Sequence, residues 1–203
     1  MLELDHLVVA GENLNAATAH IEEALGVPMQ AGGSHAVFGT HNRLLHLSDG
    51  LYLEAIAKEP GITPEQSPCW YALDQFQGDP CLSIWACRTA NPDGAAAHWP
   101  EAGRRLPLAR GAYRWQMFVP ETGVLPYDNL FPALLSWQGP HPTAALTPQG
   151  CRLKRLIITH PDAEALRQCL ALTDAGLGYA LCFETGQAGL GAEIETPHGL
   201  RHL

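Results

Sequence analysis

Apolar and polar positions alternate between two periods over the first 58 residues. The run Leu2-Glu3-Leu4-Asp5-His6-Leu7-Val8-Val9 reads as a strand with an apolar core. Asn13 is then the expected N-cap of a helix over about 15–25, where Ala16, Ala19, Ile21 and Leu25 supply apolar positions and Gly26-Val27-Pro28 ends it. Gly32-Gly33 opens a second strand running through His35-Ala36-Val37-Phe38, and Gly39-Thr40-His41-Asn42 reads as a turn. Arg43 to Leu47, a hairpin turn at Asp49-Gly50, and Leu51 to Ala57 complete the pattern. The first module is therefore one strand, one helix and an antiparallel meander, βαβββ.

The same opening recurs twice. After a Pro-, Gly- and Gln-rich stretch at 59–80, expected to cross the surface as a connector, Cys81 to Cys87 reads as a strand and Asn91-Pro92-Asp93 as a helix entry. Tyr113 to Val119 and Phe131 to Trp137 follow as later strands, with an irregular stretch at 120–129 between them. Leu153-Lys154-Arg155-Leu156-Ile157-Ile158 echoes residues 4–9, Asp162 to Leu166 echoes the helix entry, and strands are expected at about 178–185 and 190–196. Starts spaced by roughly 75 residues indicate repeated modules. The chain is expected to be one α+β domain over 1–203: a module at 1–58, the connector at 59–80, a module at 81–140, and a shorter third module at 150–203 that lacks one strand.

Composition narrows the partners. A hydrophobic fraction of 46% with 16% charged residues is globular, not disordered. A net charge of −9 without Lys/Arg clusters argues against nucleic acid or an anionic membrane surface. No apolar run has the roughly 18–20 residues that span a bilayer. The six cysteines (Cys69, Cys81, Cys87, Cys151, Cys169, Cys182) form no CxxC pair and read as reduced thiols of a cytoplasmic protein.

Two residues stand out chemically. His6 and Glu54 lie inside the apolar first and last strands of the first module. A buried carboxylate without a cation, base or hydrogen-bond partner is costly, so Glu54 points to a metal or acid–base site unless it faces solvent on an edge strand. His35 sits in a glycine-flanked segment beside Thr40 and Asn42, and reads either as a site residue or as a surface histidine of the hairpin. His46 is a reserve ligand, whereas His141, His160, His198 and His202 read as surface residues. Trp115 and Trp137 are strand residues able to wall an apolar pocket. Phosphate loops, GxSxG elbows and HExxH motifs are absent from the sequence.

These residues resemble a known family. Leu4-Asp5-His6-Leu7-Val8-Val9, Gly33-Ser34-His35, Gly39-Thr40-His41-Asn42-Arg43-Leu44-Leu45 and Tyr52-Leu53-Glu54 look like the glyoxalase-like branch of the vicinal-oxygen-chelate superfamily. Leu135-Ser136-Trp137-Gln138-Gly139-Pro140-His141-Pro142 and the Thr196-Pro197-His198-Gly199 ending add to the likeness. The resemblance implies paired βαβββ modules forming a cup-shaped mixed sheet with helices outside, and a divalent metal (Zn, Mn, Ni or Fe) in the cup. The His of a first strand and the Glu of a last strand are its usual ligands, so His6 and Glu54 are the metal candidates. The second module offers only Ser83, Trp85 or Cys87, and Ser136 or Trp137, near the remaining ligand positions; the third offers Arg155, Glu193 and Glu195. His35, His46 or Glu193 would have to complete the set, or Arg155 would pair with Glu54 in place of the cation.

The expected function is lyase or isomerase chemistry on a small oxygenated substrate. Glu54 and His35 are the catalytic candidates, and Tyr52, Asn42, Trp115 and Trp137 are the pocket candidates. The rival expectations are a small-molecule binder or sequestering protein using the same cup, and a homodimer whose cup is filled by its own side chains.

Overall fold

Leu2–Ala10 (β1) is buried along almost its whole length, because it runs through the middle of an eight-stranded sheet with layers on both faces. The computed structural model describes residues 1–170, 172 and 178–203. The first module continues with α1 (Leu14–Leu25), β2 (Gln30–His35), β3 (Thr40–Ser48) and β4 (Leu51–Lys58). Its second counterpart comprises β5 (Cys81–Thr89), α2 (Pro92–His98), β6 (Arg104–Arg110), β7 (Tyr113–Val119), a single turn α3 (Pro126–Asn129) and β8 (Ala133–Trp137). The third unit is β9 (Arg152–Thr159), α4 (Ala163–Leu170), β10 (Ala180–Glu184), β11 (Gly189–Thr196) and β12 (Gly199–His202).

The helix signals act as expected. Asn13 caps α1 by accepting from the Ala16 amide at 2.9 Å, and Gly26 ends it at φ 72°, donating its amide to Glu22. That positive φ is one that glycine adopts without a steric cost. Ala17, Ile21 and Leu25 are fully buried on the inner face of α1. Each buried Ile or Leu of this kind contributes about 1.5–3 kcal/mol.

Modules one and two share one sheet in the order β2-β3-β4-β1-β5-β8-β7-β6. Within each module the first strand pairs in parallel with the last, and the modules join through antiparallel β1 and β5. Curvature brings the two edge strands, β2 and β6, into contact with each other. The sheet thereby closes to a cup, with a Gly-rich strand (β2) at one edge and a strand carrying Pro107 (β6) at the other. No helix among the described residues is long and apolar enough to cross a membrane.

Several expected boundaries shift. The second strand starts at Gln30 and ends at His35, so residues 36–39 are the turn and Thr40 begins β3. Strand β6 was not expected, because Pro107 at its centre reads against a strand; pairing with β7 holds it, and its edge position tolerates the proline. The connector does not simply cross the surface: Trp70 and Tyr71 within it are 4% and 7% exposed.

The third unit has four strands rather than three. Its order, β10-β9-β11-β12, puts β10 directly beside β9, so it is wired differently from the first two modules. It forms a separate sheet against β5, β3 and α1, with Phe183 packed edge-on to Trp85 at 6.3 Å.

Candidate functional site

The cup is lined by His6, His35, Asn42, Tyr52 and Glu54 from module one, by Trp70 and Tyr71 from the connector, and by Arg110, Trp115, Met117, Leu135 and Trp137 from module two. Every residue assigned to the site from sequence, namely His6, Glu54, His35, Tyr52, Asn42, Trp115 and Trp137, is in this lining. The free space among these side chains is ≈ 30 Å³, room for about two waters or one small group.

A bulge in β1 sets up the centre. Leu4 pairs with Cys87 and His6 with Ala86, leaving Asp5 as the extra residue. Asp5 Oδ1 lies 2.7 Å from His6 Nδ1. Its Oδ2 accepts from Trp137 Nε1 at 2.9 Å, His141 Nε2 at 3.1 Å and, more weakly, Arg88 Nη1 at 3.4 Å. Asp5 is fully buried, and burial alone would raise its pKa. The hydrogen bonds from His141 and His6, together with their charges, overcome that and hold the carboxyl well below the usual carboxylate range.

An ionised carboxylate only accepts, so Nδ1 of His6 carries the proton it donates to Asp5. Nε2 then faces the cup, 3.5 Å from Glu54 Oε2 and 3.5 Å from the Tyr71 hydroxyl. The ring is stacked on Tyr52 with centroids 4.6 Å apart. Glu54 is 4% exposed, and its Oε1 accepts from Asn42 Nδ2 at 2.5 Å. Burial, then the nearby carboxylates of Glu54 and Asp5, raise the pKa of Tyr71 well above its ordinary value, so its hydroxyl stays a donor. Tyr71 is also held at φ 60°, a conformation that costs an aromatic residue energy and persists only where its surroundings fix it.

The other end of Asn42 ties in the second module. Asn42 Oδ1 accepts from the Gly33 amide at 2.8 Å and from Arg110 Nη1 at 3.0 Å. Arg110 Nη1 also lies 3.0 Å from His35 Nε2. Since Arg only donates, His35 Nε2 is the acceptor and Nδ1 carries the hydrogen, directed at Thr40 Oγ1 3.1 Å away. Burial first, then the charge of Arg110, push the His35 pKa down to about 3, so this ring is neutral.

His6 Nε2 and Glu54 Oε2 have a spacing suited to one cation, because two ligands 2.0–2.2 Å from a tetrahedral ion lie about 3.3–3.5 Å apart. The rest of such a centre is missing from the donor set. Among the described residues, no group of three or more His, Cys, Asp or Glu is placed to hold a metal ion. Module two presents Trp115, Met117, Leu135 and Trp137 to the cup, and Arg110 brings a positive charge. The residues present therefore do not fit a three-ligand metal centre.

The reserve ligands lie elsewhere. Trp85 turns away from the cup and donates to the Leu130 carbonyl at 2.8 Å. Ser83, Cys87 and Ser136 do not line the cup. Arg155 does not pair with Glu54; it bonds Glu193 at 3.0 Å in the third unit's sheet, and Glu195 pairs with Lys154 there. His46 is buried outside the cup's lining, 3.9 Å from Asp49. His141 and His160 are not surface residues: His141 supports Asp5, and His160 is 6% exposed against Tyr127 and Asp128.

Sequence reasoning missed Asp5, Trp70, Tyr71, Arg110 and His141. Asp5 carried a usable signal, since a carboxylate amid Leu4, Leu7 and Val8 faces the same burial cost as Glu54. Strict alternation pointed Asp5 away from His6, and the bulge overrides that alternation.

A family model described as a glyoxalase-like domain matches residues 4–173. No curated protein sequence matches the chain. Among solved structures, a hypothetical protein from Staphylococcus aureus aligns with TM-score 0.59 at 14% identity, over 83% of this chain and 73% of that one, a likeness of fold. Methylmalonyl-CoA epimerase from Mycobacterium tuberculosis aligns with TM-score 0.45 at 17% identity, over 70% of this chain and 91% of that chain. A variant of the Streptomyces coelicolor methylmalonyl-CoA epimerase, in complex with 2-nitronate-propionyl-CoA, gives 0.44 at 19% identity over 67% of this chain and 97% of that chain.

Proposed function

The chain belongs to the glyoxalase-like domain family, within the vicinal-oxygen-chelate superfamily, and from that premise we propose an enzymatic role for the cup. It moves a proton on the carbon next to a carbonyl of a small oxygenated substrate, a reaction of the isomerase or lyase type. One observation carries this reading: Glu54 is a buried carboxylate with one oxygen fixed by Asn42 and the other open toward His6 and the free space of the cup.

Glu54 Oε2 takes the proton, and the electron pair of the C–H bond moves onto the carbonyl oxygen to give an enolate. The Tyr71 hydroxyl is a donor able to stabilise that oxygen, and both it and Glu54 are buried. Once it has taken the proton, Glu54 Oε2 stands 3.5 Å from His6 Nε2. Asp5 fixes the His6 tautomer and stabilises the ring whenever it becomes charged. Return of the proton to the other face or to the neighbouring carbon gives the isomer.

A divalent cation between His6 and Glu54 is the form of the chemistry that the family resemblance implies. The cup gives it two of about three protein ligands, so the steps above run through side chains alone. Deuterium exchange followed by proton NMR tests the reading. A panel of 2-oxo acids, their neutral amides and 2-hydroxyaldehydes in D2O is expected to lose α-proton signal with wild-type protein and not with Glu54→Gln. Equal exchange by the two proteins, or none with any panel member, overturns it.

A further inference from the structure

Arg110, the last residue of β6, forms the wall between two spaces. On its inner side is the cup; on its outer side is a groove of ≈ 250 Å³ bounded by Ala31, Gly33, Leu44, Tyr113 and Pro142. It is the residue common to both linings. The side chain passes over Gly33, where a Cβ would come within 2.9 Å of Arg110 Cδ, so the path depends on glycine.

The partners of this guanidinium are unusual for its setting. Three arginines are half-buried: Arg88, Arg110 and Arg155. Arg88 pairs with Glu3 at 2.8 Å and Arg155 with Glu193 at 3.0 Å. Among the described residues Arg110 has only neutral acceptors, the uncharged His35 ring and the Asn42 amide, and both are served by Nη1. A partly desolvated cation without a counter-charge favours an incoming anion, and the remaining guanidinium donors match the fork of a carboxylate. Asn42 joins this cation to the base, since its Oδ1 accepts from Arg110 and its Nδ2 donates to Glu54.

We propose that Arg110 is the substrate-recognition residue of the cup, taking the carboxylate of a short-chain 2-oxo or 2-hydroxy monocarboxylate that enters from the outer groove and turns its reacting carbon toward Glu54. The small free space of the cup restricts the chain length. The neutral His35 is a positioning residue, holding the guanidinium across the entrance without neutralising it. This assignment of substrate class rests on the proton-transfer reading of Glu54.

The test uses 2-oxobutanoate and its neutral amide, 2-oxobutanamide, with binding read by saturation-transfer NMR and turnover by C3 deuterium exchange. Wild-type protein is expected to bind the acid about ten- to a hundredfold more tightly than the amide. Arg110→Met should abolish the preference, Arg110→Lys should keep part of it, and Glu54→Gln should keep the preference while losing exchange. Near-UV circular dichroism checks that each variant is folded. The proposal is overturned if the amide binds wild type as well as the acid, if Arg110→Met retains the preference, or if the acid does not bind at millimolar concentration. Glu54-dependent C3 exchange of acid and amide alike, without any acid preference, removes this proposal and leaves Glu54 as the base. Arg110-dependent acid binding without exchange does the reverse.

Discussion

Asp5 and His6 are neighbours in sequence, yet the bulge in β1 brings the carboxylate of one to 2.7 Å from the ring nitrogen of the other. An unbulged strand would send the two side chains to opposite faces. The pair makes one strand both the floor of the cup and its electrostatic support: Asp5 gathers donors from β8, from the segment after it and from β5, while His6 turns its free nitrogen to Glu54 on β4. The Glu54 carboxylate is thus tied to both modules.

Replacing Asp5 by Asn should therefore be severe. An amide nitrogen would face donors that now meet a carboxylate oxygen, and removal of one partner from a buried charged network costs roughly 3–5 kcal/mol. Urea denaturation at neutral pH measures this; a loss below about 1 kcal/mol would mean that the donors repack around the amide. The proton exchange assigned to Glu54 should fall with it, because the His6 tautomer is no longer fixed.

Asn42 should matter more to chemistry than to folding. Asn42→Ala removes the 2.5 Å hydrogen bond to Glu54 and the acceptor of Arg110 together. The expected result is an exchange rate lower by about a hundredfold, in line with the loss of a positioned polar group among buried residues. Measurement of kcat and KM for the exchange separates the two functions, and an unchanged kcat would deny Asn42 its hold on the base.

The first-module half of the site was legible because its residues break an apolar pattern. His6 and Glu54 are polar groups in strands that burial requires to be apolar, and such exceptions need a partner. Arg110, Tyr71 and His141 were not legible, and each for a physical reason. Arg110 ends an edge strand that opens with two exposed arginines and carries Pro107, so nothing in its residue type marks it as inward. Tyr71 reaches the cup through a left-handed backbone that no residue-type signal announces. His141 is set by the distance between β8 and β1, a tertiary relation. In the third unit, the echo of β1 in β9 was real at the level of one strand and one helix, but local periodicity does not encode which neighbour a strand selects.

Metal removal should leave the proposed exchange intact. Protein treated with EDTA and desalted is expected to keep its α-proton exchange rate, since His6 and Glu54 are two ligands where a catalytic centre uses about three. Elemental analysis of the untreated protein should find less than one divalent ion per chain. Stoichiometric metal, with activity lost on its removal and restored on its return, would defeat this expectation and move the chemistry to the cation.

Acid sensitivity follows from His35. Its folded pKa, pushed down to about 3 from 6.5 by burial and then by Arg110, means that the unfolded chain binds a proton there at pH values where the folded chain does not. Stability is then full above about pH 6.5 and declines as pH falls toward 3, by about 1.4 kcal/mol per pH unit from this one group. Asp5 acts with the same sign in a lower window: its depressed pKa gives stability that is present above about 3.8 and is lost as pH falls further. Urea unfolding between pH 4.5 and pH 6.5 therefore isolates the histidine from Asp5. His35→Gln keeps a neutral hydrogen-bonding side chain and should flatten the slope in that interval, with little change at pH 7.5. A variant whose slope matched the wild type would show that His35 takes up its proton in the folded state, and would remove its role as the neutral acceptor for Arg110.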